Sequence, residues 1–295
     1  TRSVTSSICF LLLSLLIVGK AAAQTGGHVE AFKYVYDAFN GYEWQSDSLN
    51  NEQGASTGDM FGYSIGCSDR VGRAAWEVVV FGAPGDDDLG VQSGSATILE
   101  RFIYNTFGTK ETKTVVTAPG GVAGMGFGRS ASASVTPYPG DLVAFALVAV
   151  GAPLLDSSTG AVYVYEKYVG DRGSTSSEYT YINALSFSAG IKLQAPVKVA
   201  GSAFGYSVAV SASEGLSWLA VGAPYKNSNT GSLYLFRRSA GATGTWAFAA
   251  ELLGSGITTG DQYGFSVAMR FAPSTGFVLA VGAPHDDTNR VGNSF

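Results

Sequence analysis

The chain has 295 residues, 46% of them hydrophobic and only 14% charged, with 39 glycines and a formal net charge of −5. Disorder would need more charge and fewer apolar side chains, and a nucleic-acid partner would need a basic stripe that this sequence lacks. What remains is a globular chain of strands and tight turns.

The N-terminus is read first. Arg2 precedes the apolar stretch Ile8 to Gly19, and Ala21-Ala22-Ala23 offers small residues before Gln24. This pattern reads as a secretory signal peptide over residues 1–23, cleaved after Ala23. The stretch is 12 residues long, short of the roughly 20 that a bilayer span requires. Cleavage removes Arg2 and Lys20, leaving 16 basic against 23 acidic residues and a charge of −7. Cys9 leaves with it, so Cys67 has no disulfide partner within the mature chain. The chain begins with Thr and stops inside a repeat, so it reads as a fragment at both ends.

Residues 30–55 come next. Ala31 to Leu49 read as two strands, with Trp44 standing 17 residues before Phe61 as Trp246 stands 17 before Tyr263. Four repeats follow, at about 56–120, 121–198, 199–257 and an incomplete 258–295. Each opens on an aromatic-Gly-x-Ser segment: Phe61-Gly62-Tyr63-Ser64, Phe127-Gly128-Arg129-Ser130, Phe204-Gly205-Tyr206-Ser207 and Tyr263-Gly264-Phe265-Ser266. About twenty residues later each carries Gly-Ala-Pro, at Gly82, Gly151, Gly222 and Gly282. The openings lie 66, 77 and 59 residues apart. A period that long, filled with short apolar runs, means stacked units rather than one ordinary core.

The third repeat shows the strands most clearly. Phe204 to Val210 is predicted as a first strand, followed by a turn at Ser213-Glu214-Gly215. Trp218-Leu219-Ala220-Val221 is a second, of the apolar kind covered on both faces. Gly222-Ala223-Pro224 ends it, since proline has no donor for the ladder. Gly231 to Phe236 alternates as a third strand, and Trp246 to Leu252 supplies a fourth. Gly94 to Leu99 and Gly160 to Tyr165 are the equivalent third strands, and Trp76 to Val80 is a second strand. Short turns throughout predict antiparallel meanders. Cys67 occupies the slot of Ala133, Val210 and Met269, so it is expected as a small buried residue.

These motifs resemble the FG-GAP repeats of the integrin alpha-subunit head and related extracellular propellers, over residues 30–295. The resemblance implies an all-β fold, a β-propeller of four-stranded antiparallel blades, seven in integrins, with about four represented here. A sheet of this size cannot bury both faces alone, so siblings must stack on it around an axis. Residues 31–49 are then expected as the outer strands of a closing blade, whose inner strands come from a C-terminal part the fragment lacks. The fragment is expected to leave one blade face unpartnered.

Three features of the sequence bear on chemistry. Gly62-Tyr63-Ser64-Ile65-Gly66 matches the G-x-S-x-G nucleophile elbow. The elbow needs a strand-to-helix turn and a histidine, whereas this serine recurs as Ser130, Ser207 and Ser266 in first strands and the chain has only His28 and His285. The chain is therefore read as non-catalytic. Integrin-like repeats often bind calcium through D-x-D-x-D-G-x-x-D between the first two strands. The corresponding turns here offer Asp69 beside Arg70 and Arg73, Asp141, Glu214 and, in the fourth, no acid. The metal site of the family is not carried over, and no cofactor is implied. Trp44, Trp76, Trp218 and Trp246 could stack sugars, but their positions favour packing.

Acids gather instead after Gly-Ala-Pro, as Asp86-Asp87-Asp88, Asp156 and Asp286-Asp287, and read as solvated turns with local backbone bonds, a weak contact with calcium or a ligand being the alternative. By the resemblance, these turns share one face with the lead-in to each first strand, and the ligands of the family bind on that face. The candidate ligand-face residues are Asp87, Asp88, Asp156, Tyr225, Lys226, His285 and Asp286. The expected function is a secreted or cell-surface recognition and adhesion module that binds an extracellular protein or glycan. Membrane attachment could come only through a missing C-terminal segment. The turns are expected to be exchangeable with the melt intact. The alternatives are a lectin-like carbohydrate binder and an accessory propeller of a secreted enzyme whose catalytic domain is missing.

Overall fold

The computed structural model describes residues 29–37, 41–49, 58–68, 76–104, 108–137, 143–170, 186–213, 216–239, 244–272 and 274–287. Residues 1–23, where a leader is expected, and the turn acids Asp69, Asp141 and Glu214 lie outside them. β1 (Val29–Asp37) and β2 (Gly41–Leu49) pair antiparallel as a two-stranded sheet, with Tyr34 opposite Trp44.

Three four-stranded sheets follow, each an antiparallel meander in chain order. Sheet I is β3 (Ser64–Cys67), β4 (Trp76–Ala83), β5 (Ser95–Tyr104) and β6 (Gly108–Val116). Sheet II is β7 (Ser130–Pro137), β8 (Val143–Ala152), β9 (Ala161–Gly170) and β10 (Ile191–Leu193). Sheet III is β11 (Ser207–Ala212), β12 (Leu216–Ala223), β13 (Ser232–Ser239) and β14 (Trp246–Leu252). β15 (Ser266–Ala272) and β16 (Gly276–Gly282) pair as sheet IV. The protein is thus all-β, and no helix among the described residues is long and apolar enough to cross a membrane.

The first strands begin later than expected. Phe204-Gly205-Tyr206 is a turn, because Gly205 has φ +91° and cannot continue a ladder. The second strands run on through Gly-Ala, which pairs with the first-strand serine and the start of the third strand, as Gly222 does with Ser207 and Leu233.

The sheets stack face to face, and the core lies between them. First strands are neighbours throughout: β3 lies beside β7, β7 beside β11 and β11 beside β15. Between sheets I and II lie Val78, Val80 and Ile98 against Ala133, Val148 and Tyr163. Between sheets II and III lie Leu147, Ala149 and Val164 against Val208, Leu219 and Phe236. Small residues let the first strands come this close. Ser132 and Ser134 accept hydrogen bonds from the Val210 and Ala212 amides at 3.1 and 3.2 Å, and Ser211 accepts one from Phe271 at 2.9 Å.

The repeat motif is the joint of this stack. Ser64 Oγ donates to the Gly128 carbonyl, Ser130 to Gly205 and Ser207 to Gly264, at 2.8, 2.8 and 2.7 Å. Each bond runs from one aromatic-Gly-x-Ser segment to the glycine of the next. The Gly-Ala-Pro glycine makes room for it: a Cβ on Gly82, Gly151 or Gly222 would fall 1.9, 2.1 or 1.9 Å from that same carbonyl oxygen. The serine of the apparent nucleophile elbow therefore fastens adjoining sheets.

A second series of contacts was not foreseen. Six residues after the glycine that begins each third strand stand Glu100 and Glu166, and seven after stand Lys167 and Arg238. Lys167 donates to both oxygens of Glu100 at 2.8 and 2.9 Å, joining sheets I and II. Arg238, 1% exposed, joins sheets II and III. Its Nε lies 2.8 Å from Glu166 Oε1, and its Nη2 donates to Oε2 at 3.0 Å. Trp246 Nε1 donates to the same carboxylate at 2.9 Å. Burial raises the pKa of Glu100, against the opposing bonds from Lys167 and Trp76.

Cys67 corrects an expectation, for it is exposed. Its counterparts Ala133 and Val210 are buried against sheets I and II, whereas among the described residues no four-stranded sheet precedes sheet I.

Candidate functional site

One end of the stack gathers the turns after Gly-Ala-Pro and the lead-in to each first strand. Parallel bridges join Gly94 to Phe127, Gly160 to Phe204 and Gly231 to Tyr263. Each bridge carries the end of one such turn onto the next aromatic-Gly-x-Ser segment. The two middle turns, Leu155–Ser158 and Lys226–Asn229, have left-handed interiors: φ is +50°, +55° and +60° at Asp156, Ser157 and Ser158, and +51°, +56° and +63° at Asn227, Ser228 and Asn229. Asp, Asn and Ser bear this conformation because their short polar groups can bond locally.

These turns are fastened to the next repeat. Ser157 and Ser158 carbonyls accept from the Gly201 and Ala203 amides at 3.0 and 2.8 Å, and Asn229 accepts from Gln262 at 2.8 Å. The expectation that the turns could be exchanged without touching the melt is therefore corrected. Only their outward side chains are free to vary.

The expected ligand-face residues divide accordingly. Asp87, Asp88, Asp156 and His285 are exposed, while Tyr225 and Asp286 are half-buried. Asp86, Asp87 and Asp88 bring carboxylate oxygens within 4.8 Å of one another. Asp86 uses its own on the turn, accepting from the Asp88 amide at 3.0 Å and from Ser95 Oγ. Lys226 is a correction: it is 8% exposed, and its ammonium donates to the Tyr234 hydroxyl and to Glu251. It holds the turn to sheet III and does not face outward.

Burial opposes the charge on Lys226, but the bonds to Glu251 and Tyr234 outweigh it and raise its pKa. Burial likewise works against the Glu251 carboxylate, and the bond from Lys226 still lowers its pKa. A lowered carboxylate contributes stability above its ordinary value and loses it as pH falls through the folded value. A raised lysine contributes below its ordinary value and loses it as pH rises through the folded one. Glu251 is a third exposed, so Glu251→Gln should cost at most about 1 kcal/mol at neutral pH. That loss should vanish in acid, as read from urea midpoints across the acid limb. A pH-independent loss would refute the pairing.

The tryptophans with described side chains are taken up by packing. Trp76 is 3% exposed, Trp218 meets Phe277 edge-on at 6.4 Å, and Trp246 bonds Glu166.

The sequence reading missed a file of side chains at the x position of aromatic-Gly-x-Ser. Tyr63, Arg129, Tyr206 and Phe265 follow one another across the four sheets. The Arg129 guanidinium carbon lies 5.5 Å from the Tyr63 ring centre and 5.4 Å from that of Tyr206. Tyr206 in turn meets Phe265 at 4.9 Å and Tyr225 edge-on at 5.4 Å. Burial, with the hydrogen bond and nearness of Tyr206, pushes Tyr225 up to about 12. The signal was present in the sequence, since x is large in every repeat. Tyr63 is 46% exposed and the others half-buried, so the file reaches the surface.

No family model matches the chain, and no curated protein matches it.

Proposed function

We propose that the protein is a recognition module of the FG-GAP kind, a β-propeller that binds an extracellular protein or glycan at the turn-bearing end of its blades. The full ring is seven-bladed by this reading, and β1 and β2 are the outer strands of the blade that closes it. Secretion follows from the leader at 1–23. The observation that carries the reading is the file Tyr63, Arg129, Tyr206 and Phe265. Tyrosine and arginine are the residue types that anchor interfaces, and here they lie clustered and half-buried on a rigid frame. The serine joints support it too, because they give a structural reason for every part of the repeated motif except x. A side chain kept large and placed beside its neighbours, at a position the joint does not use, suits contact with a partner.

The test uses exposed side chains at this end, so that the frame stays intact. Tyr63→Ser, Asp88→Ser and Asp156→Ser are combined, and retention is measured on immobilised extracellular matrix proteins and glycans. The expected result is loss of retention by about tenfold or more with an unchanged melt, as removal of an anchor predicts. Full retention in the triple variant would place recognition elsewhere.

A further inference from the structure

Arg129 is the odd member of the file, a guanidinium where the other repeats place rings. Its guanidinium carbon lies within cation–π distance of both the Tyr63 and the Tyr206 ring. Contact with the rings attracts the charge but takes up none of the N–H donors, which lie in the guanidinium plane. Among the described residues no acceptor takes a side-chain hydrogen bond or ion pair from it. Arg101, Lys167, Lys226 and Arg238 each hold a carboxylate. A half-buried guanidinium has lost part of its hydration, and a matching acceptor restores what was lost.

We infer that Arg129 is the receptor for a carboxylate of the partner, an Asp or Glu side chain of a protein. The guanidinium takes it through its N–H fork while the Tyr63 and Tyr206 rings restrict where the side chain can move. This rests on the recognition reading above and adds the chemistry of its anchor. The surrounding charge selects a protein over a sugar acid. Asp87, Asp88 and Asp156 are exposed at the same end and repel a bare anion. A peptide that carries basic residues beside its acid meets both signs.

Calorimetric titration of the full chain with three probes tests this: a peptide with one Glu between lysines, the same peptide with Gln, and free glucuronate. The Glu peptide should bind about tenfold tighter than the Gln peptide, and Arg129→Lys should remove that margin, because an ammonium lacks the planar fork. Tyr63→Leu, at an exposed residue that leaves the fold alone, should weaken the Glu peptide about threefold through loss of the cation–π contact. Equal binding of the two peptides, or an Arg129→Lys variant with the margin intact, overturns the inference. Glucuronate binding that equals the Glu peptide and depends on Arg129 overturns the protein assignment in favour of a sugar acid. If the peptides fail to discriminate while the triple variant still loses retention, the recognition reading stands without the carboxylate. If retention also survives, both fall.

Discussion

Gly151→Ala should destabilise the protein by about 3 kcal/mol, the upper range for forcing a group into a filled space. The added Cβ would sit 2.1 Å from the Gly205 carbonyl oxygen and 2.2 Å from Ser130 Oγ. Both belong to the joint between sheets II and III: the carbonyl is backbone and cannot swing aside, and Ser130 Oγ can move only by giving up its bond to Gly205. Gly201→Ala is the control. That glycine has φ +76° but nothing within 4 Å of an added Cβ, so its cost is backbone strain alone, about 1 kcal/mol. Urea unfolding midpoints compare the two, and equal losses would show that the joint is not as tight as drawn. Ser130→Ala should cost less than Gly151→Ala, about 1 kcal/mol for one hydrogen bond. The donor leaves, but the Gly205 carbonyl keeps its place.

Arg238→Met should cost about 3–5 kcal/mol, because it leaves the Glu166 carboxylate buried with its charge uncompensated. The Arg238 side chain also lies over the Phe145 ring, 4.9 Å from its centre, and against the Tyr168 hydroxyl. The double change Arg238→Met with Glu166→Leu should recover most of the loss, since an apolar pair of similar volume carries no desolvation penalty. Trp246 Nε1 and the Tyr168 hydroxyl lose partners in the double variant, which keeps recovery incomplete by about 1 kcal/mol each. A double-mutant cycle with a coupling near zero would show that the two residues act independently.

The strand order was legible in the sequence because each repeat writes it out. Apolar runs such as Trp218 to Val221 sit between glycine and proline punctuation, and the four-fold recurrence removes the ambiguity that one such run would carry. The boundaries were less legible. Phe204-Gly205-Tyr206 looks like strand by composition, and only the positive φ of Gly205 marks it as a turn. The buried ion pairs were hidden for another reason. Glu100 and Lys167 are 67 residues apart, and alternating charges on a strand look like a solvated face until a neighbouring sheet covers them. Lys226 was misplaced by the same logic, since a lysine in a polar turn reads as exposed when Glu251 is 25 residues away. The site was half legible. The turns were legible as the exposed end of the sheets, but the side chains that meet there are those of the motif itself, read at first as scaffold.

The ionic contacts between third strands give the sheets a fixed order of assembly. At the level where sheets I and II present Glu100 and Glu166 toward their successors, sheet III presents Arg237, exposed on the face opposite Arg238. Transplanting the third strand of sheet III into sheet I would set Arg237 against Lys167, two cations in a place too dry to hold them. Sheets of the same strand order are thus kept from trading places by a charge code, written in the few positions that decide which repeat can sit beside which.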